Sequence, residues 1–409
     1  MRFLSETAKL MVMPKAYMDH AATTPLSREV LSAMMPFFFK KFGNASSLHA
    51  FGREAKEALD SAREQVASAL CCLPEEVIFT SGGTESDNLA IKGAAYANRH
   101  KGNHIITSSI EHPAVLSTCE YLEKDGFEVT YLPVSREGFV NPQDVEGAIT
   151  QKTMLISIMH ANNEIGAIQP IPEIGKIAKE KGVLFHTDAV QTAGKIKTNV
   201  DALGVSMLSL SAHKFYGPKG VGALFVKKGV RLEPLLHGGE HERSLRSGTE
   251  NVAGIVGLGC AIALAQKDME NEALREQKLR DRMIDSVLSG IGESRLHGGR
   301  QNRLPGNANF GFKYIEGEGL VLLLDGKGIA ASTGSACSSK RLEPSHVLTA
   351  LGLPPEEAHG SLRLTLGKGN TEKNVDYLLE VLPGIVKKLR KLSPMKNGVE
   401  WKGTEVEHG

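Results

Sequence analysis

A lysine closes an apolar run in Leu208-Ser209-Leu210-Ser211-Ala212-His213-Lys214, and a Gly/Pro-rich turn, Gly217-Pro218-Lys219-Gly220, follows it. At a strand end among small residues, a lysine can be kept desolvated, so that its amine becomes nucleophilic and able to form a Schiff base. An ordinary exposed lysine has the same local surroundings, so the weight falls on spacing. Twenty-six residues earlier a second apolar run ends in His186-Thr187-Asp188-Ala189-Val190-Gln191. In open α/β sheets ligands lie outside the carboxyl ends of the strands, so Asp188 and Lys214 can converge on one pocket. A carboxylate facing a pyridinium nitrogen, beside a lysine that holds the aldehyde, is the pairing a pyridoxal phosphate electron sink needs. A lone Asp at a strand end is more often a turn or helix cap, so the pair matters more than either member.

Three further segments carry chemistry-bearing residues. Thr80-Ser81-Gly82-Gly83-Thr84-Glu85-Ser86-Asp87-Asn88 runs from a strand into a helix. Backbone N–H groups there, with Thr and Ser hydroxyls, can make a phosphate cup, or Thr84 can simply be an N-cap. The run matches neither a Walker A loop nor a dinucleotide fingerprint. Ser109-Ile110-Glu111-His112-Pro113 puts an imidazole just past a strand, where it could stack on a planar cofactor and shuttle a proton. It is one of 14 histidines, which keeps the claim on any single one small. Ala331 to Lys340 is small and polar and reads as an exposed loop around Cys337. Cys71, Cys72, Cys119 and Cys260 sit in helical or apolar contexts and read as structural.

The elements that position these residues are short apolar runs alternating with amphipathic stretches. Strand-like runs occur at 77–80, 104–107, 128–132, 154–158, 183–186, 207–210 and 222–226. Such alternation predicts an α/β fold with a mainly parallel sheet covered on both faces. From Gln266 to Ser289 the chain turns highly charged and helical, with Met269, Leu274, Leu279, Met283 and Leu288 as its apolar stripe. This places a large domain at 21–265 and a smaller α+β domain at 1–20 with 266–409. Lys plus Arg number 48 and Asp plus Glu 47, a balance with no attraction for nucleic acid or an anionic membrane. The apolar run Gly254–Ala265 is short for a bilayer span, the N-terminus has no clean apolar leader, and five cysteines form no paired framework. A reduced, cytoplasmic setting is expected.

Taken together, these residues resemble the cysteine desulfurases, fold-type I pyridoxal phosphate enzymes of the class V aminotransferase group. The matching motifs run in family order: Tyr17 to Pro25, Phe42 to Ser47, Thr80 to Asn88, Glu111-His112, Asn162 to Gly166, Thr187 to Gln191 and Ser211 to Gly220. They continue through His237-Gly238-Gly239, Arg246 to Asn251, Gly334-Ser335-Ala336-Cys337 and Ser361-Leu362-Arg363. The resemblance implies a seven-stranded, mainly parallel sheet in the large domain, with the catalytic cysteine loop in the small one. It implies that Lys214 carries the cofactor, Asp188 pairs with the ring nitrogen, Gln191 bonds the phenolic oxygen and His112 stacks on the ring. Gly83, Thr84, Ser211 and His213 would bind the phosphate, joined by Thr249 from the other subunit of a homodimer. Asn163 and Arg363 would hold the substrate carboxylate, and Cys337 would be the nucleophile. The implied reaction takes sulfur from L-cysteine, gives L-alanine and leaves a persulfide on Cys337 for an iron–sulfur scaffold or another acceptor protein, with no resident metal. The Gly-Ser-Ala-Cys loop is similar to the housekeeping and nitrogen-fixation group. Two other classes remain open on the residues alone: a generic aminotransferase, which has no use for Cys337, and a sulfur-binding scaffold, which has no use for Asp188 with Lys214.

Overall fold

The computed structural model describes residues 16–333 and 344–393. After a two-residue strand β1 (Ala16–Tyr17), the seven apolar runs become β2 (Val77–Thr80), β3 (His104–Ser108), β4 (Glu128–Leu132), β5 (Thr153–Ser157), β6 (Leu184–Asp188), β7 (Met207–Ser211) and β8 (Gly222–Val226). They form one sheet in the order β2-β8-β7-β6-β5-β3-β4. The five strands from β3 to β7 pair parallel, whereas β8 runs antiparallel to both neighbours. The physical reason is the ten-residue link between β7 and β8, too short for the helical crossover that a parallel return needs. Adjacent residues divide between two cores. Phe79, Ile106, Ile156 and Leu208 face Leu59, Ile174 and Leu258 on one side of the sheet. Ile78, Ile105, Leu155 and Met207 face Leu89, Val115 and Leu122 on the other. Double-sided burial explains why these strands read as continuous apolar runs.

A second sheet joins β9 (Ser294–Leu296), β10 (Asn307–Phe312) and, beyond the short β11 (Ile329–Ala330), β12 (Ser361–Thr365) in the order β12-β10-β9. β11 pairs parallel with β1, so residues 16–18 are drawn into this later part of the chain. Met18, Met283, Phe310, Leu320, Leu364 and Leu382 share its core. The helix of the charged stretch begins earlier than its sequence suggests and runs unbroken over Val252–Gly290. Its first half packs Ile255, Leu258 and Ile262 on the large sheet, and its second half packs Met283, Ile284 and Val287 on the small one. Leu274 and Leu288, expected on the apolar stripe, are exposed. Among the described residues this is the one helix long and apolar enough to cross a membrane, and more than half of its most apolar stretch is buried in the protein. The extra length over the Gly254–Ala265 run comes from charged turns that the small core recruits.

The segment leading to Thr249 is tied to the sheet by a buried ion pair. Glu242 accepts from both Arg63 Nη atoms at 2.9 and 2.7 Å and from the Phe79 N–H at 2.8 Å. Glu242, Arg243 and Ser244 all take positive φ, between 46° and 64°, a strain that this anchor holds in place. Glu242→Ala leaves the Arg63 guanidinium without its counter-charge and the Phe79 N–H without an acceptor, so it is expected to cost about 3–5 kcal/mol. Urea unfolding of the two proteins, read at equal slope, checks the figure.

Candidate active site

β6 and β7 are parallel neighbours with Asp188 opposite Ser209, so the carboxylate and the residues after β7 emerge at the same sheet edge. Asp188 is buried, and its Oδ1 accepts from the Val190 N–H at 2.8 Å. Burial raises its pKa, while the charges of His112 and Lys214 pull it back. Lys214 ends the 3-10 turn Ala212–Lys214, and its Nζ donates to the carbonyls of Ala21 at 2.6 Å and Ala22 at 2.8 Å. Burial first, then the positive charges of Lys195 and Arg363, lower its pKa to about 8. Roughly a tenth of the amine is then neutral at pH 7, against well under a thousandth for an ordinary lysine.

His112 is the N-cap of the helix Pro113–Lys124, its Nδ1 accepting from the Ala114 N–H at 3.1 Å. That bond leaves the ring proton on Nε2, and burial lowers the pKa, so the ring is a neutral planar face. Behind it Glu111 is wholly buried, accepting from Ser108 Oγ at 2.5 Å and from the Met159 N–H at 3.0 Å. Burial pushes this carboxyl up to about 8. Glu111 thus fixes the turn that presents His112.

At the other end of this edge the helix Gly83–Asn98 starts with Gly82 as N-cap and no side-chain cap bond. Thr84 is therefore inside the first turn and is not the N-cap that a local reading allows. Gly82, Gly83, Thr84, Ser211 and His213 line a cavity of about 440 Å³. Uncapped N–H groups and the positive end of the helix dipole suit an anion there. Glycine is required at 83, where a Cβ would stand 2.7 Å from Val190 Cγ2. His213 shares a hydrogen bond between its Nδ1 and Thr23 Oγ1 at 3.1 Å, and burial with the nearby lysines lowers its pKa to about 4. Gln191 donates from Nε2 to the Ala21 carbonyl at 3.0 Å, the acceptor Lys214 also uses.

Arg363, on β12, is almost fully buried. Its Nη2 donates to Asp19 Oδ1 at 2.8 Å and its Nη1 to the Asn163 carbonyl at 3.1 Å, while its Nε is buried without a partner. Arg363 and Asn163 therefore meet through the Asn163 backbone. Thr249 is exposed and does not line the cavity; Arg246, three residues earlier, pairs with Glu85 at 2.9 Å. Cys337 lies outside the described residues. Of the other cysteines, Cys119 is buried with its thiol pushed up to about 12, whereas Cys71 is exposed at a left-handed helix C-cap and so is no core residue. Sequence reasoning missed three groups that touch this site: Asp19, the Ala21 and Ala22 carbonyls, and Lys195. The first two lie inside the Tyr17–Pro25 motif, where residue order alone gave them no role.

The family model described as aminotransferase class-V matches residues 16–378. A protein named cysteine desulfurase IscS from Dictyoglomus turgidum is 58% identical over 388 residues, 95% of this chain and 98% of its own. One of the same name from Methanosarcina thermophila is 58% identical over 379 residues, 93% and 94% of the two chains. Among solved structures, a NifS-like protein superposes with a TM-score of 0.87 at 42% identity, covering 92% of this chain and 100% of its own. The structure titled SspA in complex with cysteine gives 0.77 at 40% identity, covering 86% and 99%. The chain belongs to the aminotransferase class-V family and, within it, to the cysteine desulfurases.

Proposed function

We propose that this enzyme uses pyridoxal phosphate to take sulfur from L-cysteine, giving L-alanine and a persulfide on Cys337 that passes to an acceptor protein. The observation that carries the reading is the emergence of Asp188 and Lys214 from adjacent parallel strands, a buried carboxylate and an amine shifted to about 8 at one edge. The residues fit the cofactor on three further counts. A neutral imidazole stands at His112, an uncapped helix start at Gly83 and Thr84 offers an anion site, and Gly83 has no room for a side chain. Lys214 would hold the aldehyde carbon, Asp188 the ring nitrogen, Gln191 the phenolic oxygen, and Gly83, Thr84, Ser211 and His213 the phosphate. When bound, the cofactor supplies an electron sink that acidifies the substrate Cα–H.

The chain's own residues do the rest. Arg363 receives the substrate carboxylate, with Asp19 and the Asn163 carbonyl keeping the guanidinium in one orientation. Lys214, neutral in part at pH 7, accepts the Cα proton. The Cys337 thiolate attacks the substrate sulfur; an S–S bond forms as the C–S bond breaks, and the carbon skeleton takes up protons and leaves as alanine. An unperturbed thiol near pKa 8.5 is a few per cent thiolate at neutral pH, and attack scales with that fraction. We place Thr249 in the partner subunit's phosphate site within a homodimer, assign the two domains as 21–265 and 1–20 with 266–409, and assign a cytoplasmic setting. Purified enzyme with L-cysteine and no keto acid is expected to form alanine and protein-bound persulfide in equal amounts within the first turnover. A strict need for a keto acid would establish an aminotransferase instead.

A further inference from the structure

A narrow cavity of about 30 Å³ beside Lys214 is lined by the segment after β7 and by Met269, Ala273 and Glu276 of the long helix. It holds a water or two at most. Lys195 and Lys214 both line it. The Lys195 Nζ donates to Gln191 Oε1 at 3.4 Å, and Gln191 Nε2 donates in turn to the Ala21 carbonyl, which also accepts from Lys214 Nζ. A continuous chain of hydrogen bonds therefore joins the two lysines through one amide and one carbonyl. An amide can be turned end for end with little steric change, and only its partners decide which end faces the site. A lysine has donors and no acceptor, so the Gln191 oxygen must point to Lys195 and its NH₂ must point towards Ala21 and the site.

We propose that Lys195 is a positioning residue for the Lys214 site: it fixes Gln191 with its donor end forward and sets a second positive charge behind the Lys214 amine. The inference rests on the reading of Lys214 as the cofactor lysine and deepens it. The charge acts on Lys214 because two cations lining one narrow, half-buried cavity disfavour each other, a recognised way of making a lysine nucleophilic. Lys195 is the largest charged contributor, after burial, to the lowered pKa of Lys214. The groups facing Lys195 are Glu276 from the long helix, which favours its charged form, and Arg363 from β12, which opposes it. His20, Tyr216, Lys368 and Glu272 complete the charged and titratable lining of the cavity. Burial lowers Lys195 to about 8 and raises Glu276 to about 7, and the two charges, each favouring the other's ionised form, work against that burial.

The test compares Lys195→Gln, which removes the charge, with Lys195→Arg, which keeps it. The readout is the pH midpoint of the holoenzyme's visible absorbance change, which follows the proton on the nitrogen joining Lys214 to the cofactor. A cofactor-stripped sample gives the pKa of the free Lys214 amine by trace acetylation. Loss of the nearby cation favours the protonated form, so Lys195→Gln is expected to raise both midpoints by about half to one pH unit. Lys195→Arg is expected to restore the original values, which a role confined to packing would not do. Unmoved midpoints in a folded Lys195→Gln enzyme overturn the proposal. Should that variant not fold, Lys195→Arg decides alone: arginine stays charged where lysine titrates, so its midpoint must hold or fall, and a rise overturns the proposal. A wild-type enzyme with no absorbance that Lys214→Ala abolishes would instead defeat the functional reading beneath it.

Discussion

Lys214→Ala is expected to give a colourless, folded protein with no measurable desulfuration, a loss of at least three orders of magnitude. Folding should survive because the Lys214 amine contacts only the Ala21 and Ala22 carbonyls, and Gln191 still donates to the first of them. Removing a partly buried amine also relieves its desolvation, which offsets the one carbonyl left without a donor. Chemistry should not survive. In the proposed reaction the same nitrogen serves as the attachment point and as the proton acceptor. Lys195, which shares a cavity lining with Lys214, is turned towards Gln191 and Glu276. Borohydride reduction followed by peptide mapping checks the assignment, and a reduced cofactor found on another lysine would refute it.

Cys337→Ser should separate two halves of the reaction. Apart from Thr249, all the groups assigned to the cofactor lie at the ends of β2, β3, β6 and β7, and none of those contacts needs the thiol. The variant should keep its absorbance, and added cysteine should still change that spectrum. Alanine formation should fall by at least two orders of magnitude, with no persulfide detectable by mass spectrometry. A serine hydroxyl with its far higher pKa supplies almost no anion at neutral pH, so it cannot take the sulfur. Near-normal turnover would mean that sulfur leaves by elimination without a cysteine nucleophile, and the persulfide route would have to be abandoned.

The inner strands of the large sheet were legible because each is buried on both sides, which writes itself into the sequence as an unbroken apolar run, whereas β4 at the edge is mostly half-buried. Val77–Thr80 and Met207–Ser211 could be located that way to within a residue. Direction was less legible: the antiparallel course of β8 depends on the length of the link before it, and its apolar pattern matches its neighbours'. The long helix was read short because its first turns, Val252 to Ala265, pack on the large sheet and look like buried apolar chain. Leu274 was misread because helical spacing gives a stripe but not which part of it a neighbour covers. At the site, residues that act through side chains at strand ends stood out, as Asp188 and Lys214 did. Those that act through the fold did not. Asp19 reaches Arg363 across 344 positions, and Lys195 reaches Lys214 by way of a glutamine and a carbonyl. Neither relation has a local spacing to betray it.

The pairing of β1 with β11 also sets an order of events during synthesis. Residues 16–19 leave the ribosome long before their partners Ile329, Ala330 and Arg363. The large sheet, whose strands span residues 77–226, can assemble while the later chain is still being made. The opening segment must wait unpaired, and closing a loop of more than 300 residues costs entropy that only the finished small sheet can offset. Ala21 and Ala22, which hold the Lys214 amine, directly follow that waiting segment. A nascent chain stopped before β11 could carry Asp188 and Lys214 on a formed sheet, with Thr24 bonded to the His213 carbonyl, but it would lack Arg363 and leave Asp19 without its partner. The architecture therefore ties completion of the reactive centre to completion of the polypeptide, and a half-made copy is kept from premature chemistry.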